Sequence, residues 1–508
     1  MVKILKKIFK VLVSRSFIFS FLILLQLSFV IFITWRLTYG RVYVHYFFTG
    51  LSIVVAVMIL NRTLNPAYKI SWLLLVLIVP FVGVVLYILF GRLRLSPKTR
   101  RFLNELYSVK AGELQRADLD MPIDDADFRK MTDYVQNLTG MPVCENTLSR
   151  FLESGEAFHA ALLEELGRAK KFIFMEYFII SEGEMWNSVF EILARKVKEG
   201  VDVRIIYDDF GSLKGLRYNF KKRVLREGIK IINYNPFRPR LSMAINYRDH
   251  RKITVIDGNV GFIGGINIAD EYINKKVLYG YWKDAAMLLK GDAVWNLTFL
   301  FLQMWQFCTR ENIDYGEYKP SVAYSASGYV LPFGDGPLDN NQAIADIYLQ
   351  MINRAKERLY ITTPYLILDN ETITALKIAA KSGVDVYILM PHIPDKKIIF
   401  AVSQSYFPEL IEAGVKIYRY LPGFVHSKVV IADDRIALFG SANLDFRSLY
   451  LHYEASCLLY GTSSVTEMAE DFRKCLEESR LVTREEAVKK PWIARIFVAV
   501  LKAFAPMF

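Results

Sequence analysis

Six histidines occur in this chain of 508 residues, and two of them stand in matching frames. His250-Arg251-Lys252 is followed by Asp257 and then Gly264-Gly265-Ile266-Asn267; His426-Ser427-Lys428 is followed by Asp433 and then Gly440-Ser441-Ala442-Asn443. Histidine, lysine, aspartate and asparagine recur at one constant offset, from 250 to 426 as from 267 to 443. A lone histidine among apolar neighbours is usually a satisfied core residue, but two in register with the same cation and the same amide need another explanation. An imidazole can attack phosphorus or carry a proton, a fixed ammonium balances charge growing on phosphoryl oxygens, and an amide adds a donor. Two imidazoles facing each other would divide this work, one as nucleophile and one as acid. Zinc does not fit, because the ammonium two residues from each imidazole cannot coordinate and repels the ion. No metal or other cofactor is expected.

The elements that must hold these residues are readable around them. Residues i and i+2 of a strand share a face, so the His and Lys of each copy are expected to project together. Apolar Ile253, Val255 and Ile256, and residues 429–431, mark the strands; Asp257-Gly258 and Asp433-Asp434 mark tight turns, and a returning strand runs to the glycines. Upstream, strand-like 172–180, helical 185–198 and strand-like 201–207 alternate, which argues an α/β domain. Gly200-Val201-Asp202-Val203 recurs as Gly383-Val384-Asp385-Val386, and Gly228-Ile229-Lys230-Ile231 as Gly414-Val415-Lys416-Ile417. Matches in the same order predict two copies of one domain, over 138–322 and 323–482.

The formal net charge is +12, yet the first 101 residues hold fourteen Lys and Arg with no acid, leaving 50 cations against 52 acids in the remainder. The folded body is nearly neutral, which speaks against a nucleic-acid partner. That basic segment contains three uncharged apolar runs, 17–35, 42–60 and 70–90, each about 28–31 Å long as a helix and so able to cross a bilayer. Residues 1–92 therefore read as a membrane anchor with two or three transmembrane helices, and 93–137 as a polar connector. Cations flank both ends equally, whereas three full spans would put the ends on opposite sides. Either one run is tilted or re-entrant, or the cation bias is overridden at one end; both ends are expected on the cytoplasmic side. The basic stretch 214–252, with Leu213, Leu216, Tyr218, Phe220, Phe237 and Leu241 in or beside it, suits anionic headgroups or a plain solvated helix. Residues 483–508 include an amphipathic helix for the membrane interface or for the protein body. Cys144, Cys308, Cys457 and Cys475 show no CxxC spacing and read as small buried hydrophobes.

HxKxxxxD occurring twice, each time followed by G-G/S-x-N, resembles the phospholipase D superfamily. Asn246-Tyr247-Arg248-Asp249-His250-Arg251-Lys252, residues 264–272 and residues 440–448 resemble bacterial cardiolipin synthases in particular, as do Asn65-Pro66, Trp72, Pro80 and Phe90-Gly91 nearer the N-terminus. The resemblance implies two tandem phospholipase D-like α/β domains with pseudo-two-fold symmetry behind an N-terminal α-helical transmembrane segment. It implies a metal-independent phosphatidyltransferase that joins two phosphatidylglycerols into cardiolipin and glycerol through a phosphatidyl-histidine. His250 would be the nucleophile and His426 the acid and then the base, with Lys252, Asp257, Lys428 and Asp433 completing the motifs and the aspartates more structural than chemical. Asn267, Asn443 and Ser441 would support the phosphate. A carboxylate downstream of each motif, Asp284 after His250 and Glu454 after His426, would fix an imidazole tautomer. Other anionic phospholipids are the remaining expected partners, in a cell membrane. The competing functions are a phospholipase D or headgroup-exchange enzyme with water or another alcohol as acceptor, and an inactive membrane scaffold.

Overall fold

The computed structural model describes residues 42–63, 65–91, 125–236, 246–338, 341–489 and 491–507, with isolated residues between 21 and 36 and between 98 and 114. Most of the first apolar run, 17–35, and residues 237–245 of the basic stretch 214–252 lie outside the described residues. The second run forms helix α1, Val42–Leu60, about 28 Å long. The third run is not one span. It makes α2, Pro66–Ile78, and α3, Pro80–Phe90, each shorter than a hydrocarbon core is thick. Pro80 has no N–H to continue the ladder and forces Val79 out of helical geometry, at φ −127° and ψ 73°. The two helices then fold back on each other so closely that a Cβ on Gly83 would lie 2.3 Å from the Leu75 carbonyl oxygen. Val55, Ile59, Trp72, Val76, Val84 and Tyr87 form a small core among the three.

Beyond the anchor, each half of the chain builds a mixed sheet. The first contains β1, Phe172–Tyr177, β2, Asp202–Asp208, β3, Lys252–Ile256, β4, Val260–Gly264, and β5, Ala286–Gly291. Helix α4, Val294–Thr309, follows. The second contains β6, Arg358–Thr362, and β7, Asp385–Pro391, then helix α5, Lys397–Ser403, and then β8, Val429–Ala432, and β9, Ile436–Gly440. Helix α6, Phe446–Tyr450, leads into β10, His452–Tyr460, and α7, Trp492–Ala503, lies near the C-terminus. Within the larger sheets these strands lie in the order β5-β4-β3-β1-β2 in one and β10-β9-β8-β6-β7 in the other, with further strands at the edges. The repeat of short motifs is thus a repeat of topology. In both sheets the motif strand runs antiparallel to its hairpin mate and to the first central strand, pairing Ile253 with Ile263 and Val429 with Phe439.

Helix α4 is buried from Val294 through Gln306 and shares one hydrophobic core with both sheets, including Met287, Leu289, Val330, Phe333 and Phe439. Its sequence is apolar on every side, as a helix wedged between two sheets must be. Close packing also brings the halves together at the glycines after each hairpin, where a Cβ on Gly264 would stand 3.2 Å from the Phe439 ring.

Candidate active site

Two short backbone pairings join the halves and place the histidines. Arg248-Asp249 runs parallel to His452-Tyr453, and 423–425 runs parallel to 281–283. The His250 N–H donates to the Tyr453 carbonyl at 2.9 Å, and the His426 N–H donates to the Lys283 carbonyl at 2.7 Å. Each motif therefore enters beside the segment carrying the other half's carboxylate. Nδ1 of His250 lies 2.9 and 3.0 Å from the two oxygens of Glu454, and Nδ1 of His426 lies 2.6 Å from Oδ2 of Asp284. An ionised carboxylate can only accept, so Nδ1 of each ring carries the proton and Nε2 is left with its lone pair. The linear order pairs Asp284 with His250 and Glu454 with His426; in space the pairs are exchanged.

Burial sets the charge state. His250 and His426 are each 7% exposed. Burial pushes the His426 imidazole down to about 4 and holds His250 well below its ordinary range, against the pull of Glu454. Both rings are neutral near pH 7. Burial raises the carboxylates, but His426 and Lys428 outweigh it at Asp284, and His250 with Lys252 outweighs it at Glu454, so both remain anions. Burial, with repulsion from Lys428, lowers Lys252 to about 7; burial lowers Lys428 to about 8. An anion received between the lysines relieves that repulsion and restores their protons. The site thus suits a negatively charged group. Each lysine also donates to the carbonyl of its own motif histidine, which fixes the side chain in place.

The remaining motif residues fall into two groups. Ser441 donates to Glu454 and accepts from the Ala455 N–H at 3.0 Å, so it steadies the carboxylate behind His250. Its counterpart Gly265 cannot do the same, because a Cβ there would lie 2.3 Å from Asp284 Oδ1. Asn267 accepts from the Ile179 N–H at 2.9 Å and donates to the Tyr272 hydroxyl at 2.6 Å, whereas Oδ1 of the buried Asn443 has no partner. Asp257 and Asp433 are not brought to the histidines. They sit at the far ends of the motif strands, at φ 54° in both copies, and accept three N–H groups each, from Lys170, Lys171 and Phe172 and from Lys356, Glu357 and Arg358. They pin the hairpin turn to the start of the neighbouring strand and so act as turn anchors rather than as members of the reacting set.

Several residues at the site were not singled out by the motif pattern. His452 is 8% exposed, its ring centroid 5.3 Å from that of His250, and neither ring nitrogen has a hydrogen-bond partner. Trp282, Tyr272 and Phe424 wall His426 at 5.3, 5.7 and 5.6 Å, while Phe178 lies 4.8 Å from His250. A signal existed: Trp282 and His452 each stand two residues before a carboxylate. Ligand-capable atoms of His250, His452 and Glu454 lie within 4.8 Å of one another and could meet a metal ion, but Glu454 is already shared by His250 and Ser441. The anchor touches this region too. Asn65, which caps α2, donates to the Tyr450 hydroxyl, and Tyr68 packs on Phe446, so α2 docks on α6 directly after Asn443.

Residues 162–277 and 348–476 match the family model described as cardiolipin synthase, PLD-like domain, and residues 50–92 match the phospholipase D-nuclease N-terminal family. The chain is 41% identical to an uncharacterized protein of Streptococcus mutans, over 88% of this chain and 98% of that one. It is 38% identical to a cardiolipin synthase of Geobacillus sp., over 90% of this chain and 94% of the relative. Among solved structures it is similar to the phosphatidylserine synthase of Haemophilus influenzae, with a TM-score of 0.57, 16% identity, and coverage of 74% of this chain and 98% of that one; this likeness speaks for the fold alone.

Proposed function

The chain belongs to the cardiolipin synthase family of the phospholipase D superfamily, and from that premise we propose how its two imidazoles divide the work. It is a membrane phosphatidyltransferase that exchanges one phosphodiester for another between two phosphatidylglycerols, giving cardiolipin and glycerol. In the first half-reaction His426 takes up a proton on Nε2 as the phosphodiester anion binds; Nε2 of His250 then forms a bond to phosphorus, the P–O bond to the glycerol headgroup breaks, and His426 gives that proton to the leaving oxygen. In the second, a headgroup hydroxyl of another phosphatidylglycerol attacks the same phosphorus, His426 takes its proton, and the N–P bond breaks. Lys252 and Lys428 hold the phosphoryl oxygens in both steps.

One observation carries this assignment: Glu454 embraces Nδ1 of His250 with both oxygens while also held by Ser441. A phosphorylated imidazole is cationic, and this doubly held carboxylate is the better counter-charge for it. His426 sits instead among aromatic rings with a single Asp284 oxygen behind it, and burial makes its protonated form give up the proton readily, which suits a proton donor. Near-complete burial of both rings excludes water and favours an alcohol acceptor over hydrolysis. Purified protein incubated with phosphatidylglycerol vesicles is expected to yield cardiolipin and free glycerol, and His250→Ala and His426→Ala are each expected to abolish it. Phosphatidic acid as the main product would replace the transferase by a phospholipase, and absence of turnover would leave a scaffold. The anchor follows the same reading: α1 is long and apolar enough to cross the bilayer, and α2 and α3 re-enter it.

A further inference from the structure

Helix α7 presents an apolar stripe that no part of the described chain covers. Trp492, Ile493, Ile496, Phe497 and Val500 recur at helical spacing and are 53–69% exposed, while Val498 faces the protein and is buried. A cluster of large exposed apolar side chains on one short helix marks a contact surface. Its neighbours say what it meets. The Ala503 carbonyl accepts from the Ser71 hydroxyl of α2 at 2.6 Å, and Met507 packs against the core of the three anchor helices. The stripe therefore begins where the membrane anchor ends. On its other side α7 packs along α5, where Ile398 is exposed and Ile393, just before the helix, is partly so.

That edge leads to the active site. Lys396, directly before α5, donates to the Tyr365 hydroxyl at 2.7 Å, and Tyr365 donates to Asp395 at 2.6 Å. The Tyr365 ring packs against the core containing Tyr272 and Trp282, the rings beside His426. A lysine and an aromatic lie in order between an apolar platform and the phosphate site.

We propose that the α7 stripe, extended by Ile393 and Ile398, rests in the headgroup and upper acyl layer of the bilayer, and that phospholipid enters the site from there, past Lys396 and Tyr365. The occupant is lipid rather than a second protein because the surface is continuous with α2 and α3, which the same reading places in the bilayer, and because the exposed Arg495 on the same helix suits anionic headgroups. The idea rests on the reading of the chain as an enzyme of phosphatidylglycerol.

The test uses the full-length protein reconstituted in phosphatidylcholine and phosphatidylglycerol vesicles. Ile496→Ser with Phe497→Ser is expected to lower turnover of vesicle phosphatidylglycerol about tenfold or more, since two large side chains leave the lipid. Turnover of a soluble short-chain phosphatidylglycerol is expected to stay within about twofold, which separates misplacement from misfolding. Equal losses on both substrates would overturn the proposal. A second measurement is independent of activity: phosphatidylcholine brominated near the headgroup should quench the fluorescence component that Trp492→Phe removes. Quenching identical in the two proteins would overturn the proposal, as would a stripe covered by a second copy of the chain. Failure of the wild-type protein on both substrates would instead overturn the enzymatic reading, and the quenching result would still decide the placement of α7.

Discussion

Glu454→Gln isolates the exchanged carboxylates from every other feature of the site. Ser441 receives the Ala455 N–H on its oxygen and gives its own proton to Glu454, so in the variant it selects the amide oxygen of the glutamine. The amide nitrogen then takes the Oε1 place, 2.9 Å from Nδ1 of His250, while the uncharged amide oxygen stays 3.0 Å from it. With a donor beside Nδ1 and no charge behind it, the ring shifts population toward the tautomer that carries its proton on Nε2, the atom that must attack phosphorus. Losing a charge-assisted hydrogen bond costs about 1.5–3 kcal/mol, a factor of roughly 10 to 150 in the population of the reactive tautomer. Losing the counter-charge for a phosphorylated ring adds to this, and a comparable replacement behind a catalytic histidine lowers turnover by about 10⁴. The expected fall in kcat is therefore about 10³ to 10⁴ with a nearly unchanged fold. Rapid-quench trapping of labelled phosphatidylglycerol should show no phosphatidyl-enzyme in Glu454→Gln, but a slowly forming and long-lived one in Asp284→Asn, where His426 is weakened as the acid of the first step and as the base of the second. Turnover above a tenth of wild type in Glu454→Gln, or accumulation in that variant rather than in Asp284→Asn, would refute the division of labour.

Three further outcomes follow. Because Lys252 and Lys428 lose their protons near 7 and 8 in the empty site, kcat/KM should decline as pH rises through that window, with kcat declining at higher pH because bound phosphate restores both charges; a flat kcat/KM between pH 7 and 9 contradicts the assignment. Asp257→Ala or Asp433→Ala removes acceptors from three N–H groups outside the reacting set, so thermal unfolding should show a loss of about 1–3 kcal/mol while kcat of the remaining folded enzyme is kept. Gly83→Val drives a side chain into the Leu75 carbonyl and should open the α2–α3 hairpin at a cost of about 1–3 kcal/mol, visible as loss of a disulfide cross-link engineered between those helices.

The duplicated motif made the two-domain α/β fold legible because its spacing is set by a three-residue hairpin turn, and in each copy that turn needs two successive positive φ values and an aspartate to gather three N–H groups. The helix-breaking effect of Pro80 was legible in principle as well, but the hydropathy of 70–90 is continuous across it. Hydropathy reports solubility in lipid and not direction of travel, so one run read as a span where the chain reverses.

The partner of each imidazole lay beyond any such reading, since nothing local in 248–252 specifies that it will lie alongside 452–453. The exchange has a consequence for the whole molecule. Neither half owns a complete dyad: His250 has its tautomer set by a residue 204 positions later, and His426 by one 142 positions earlier. The buried helix α4 and the shared core hold the halves together, yet it is the crossed carboxylates that make their union a condition of reactivity. A half detached from its mate would keep its motif, its lysine and its turn, and would present an imidazole free to carry its proton on either nitrogen.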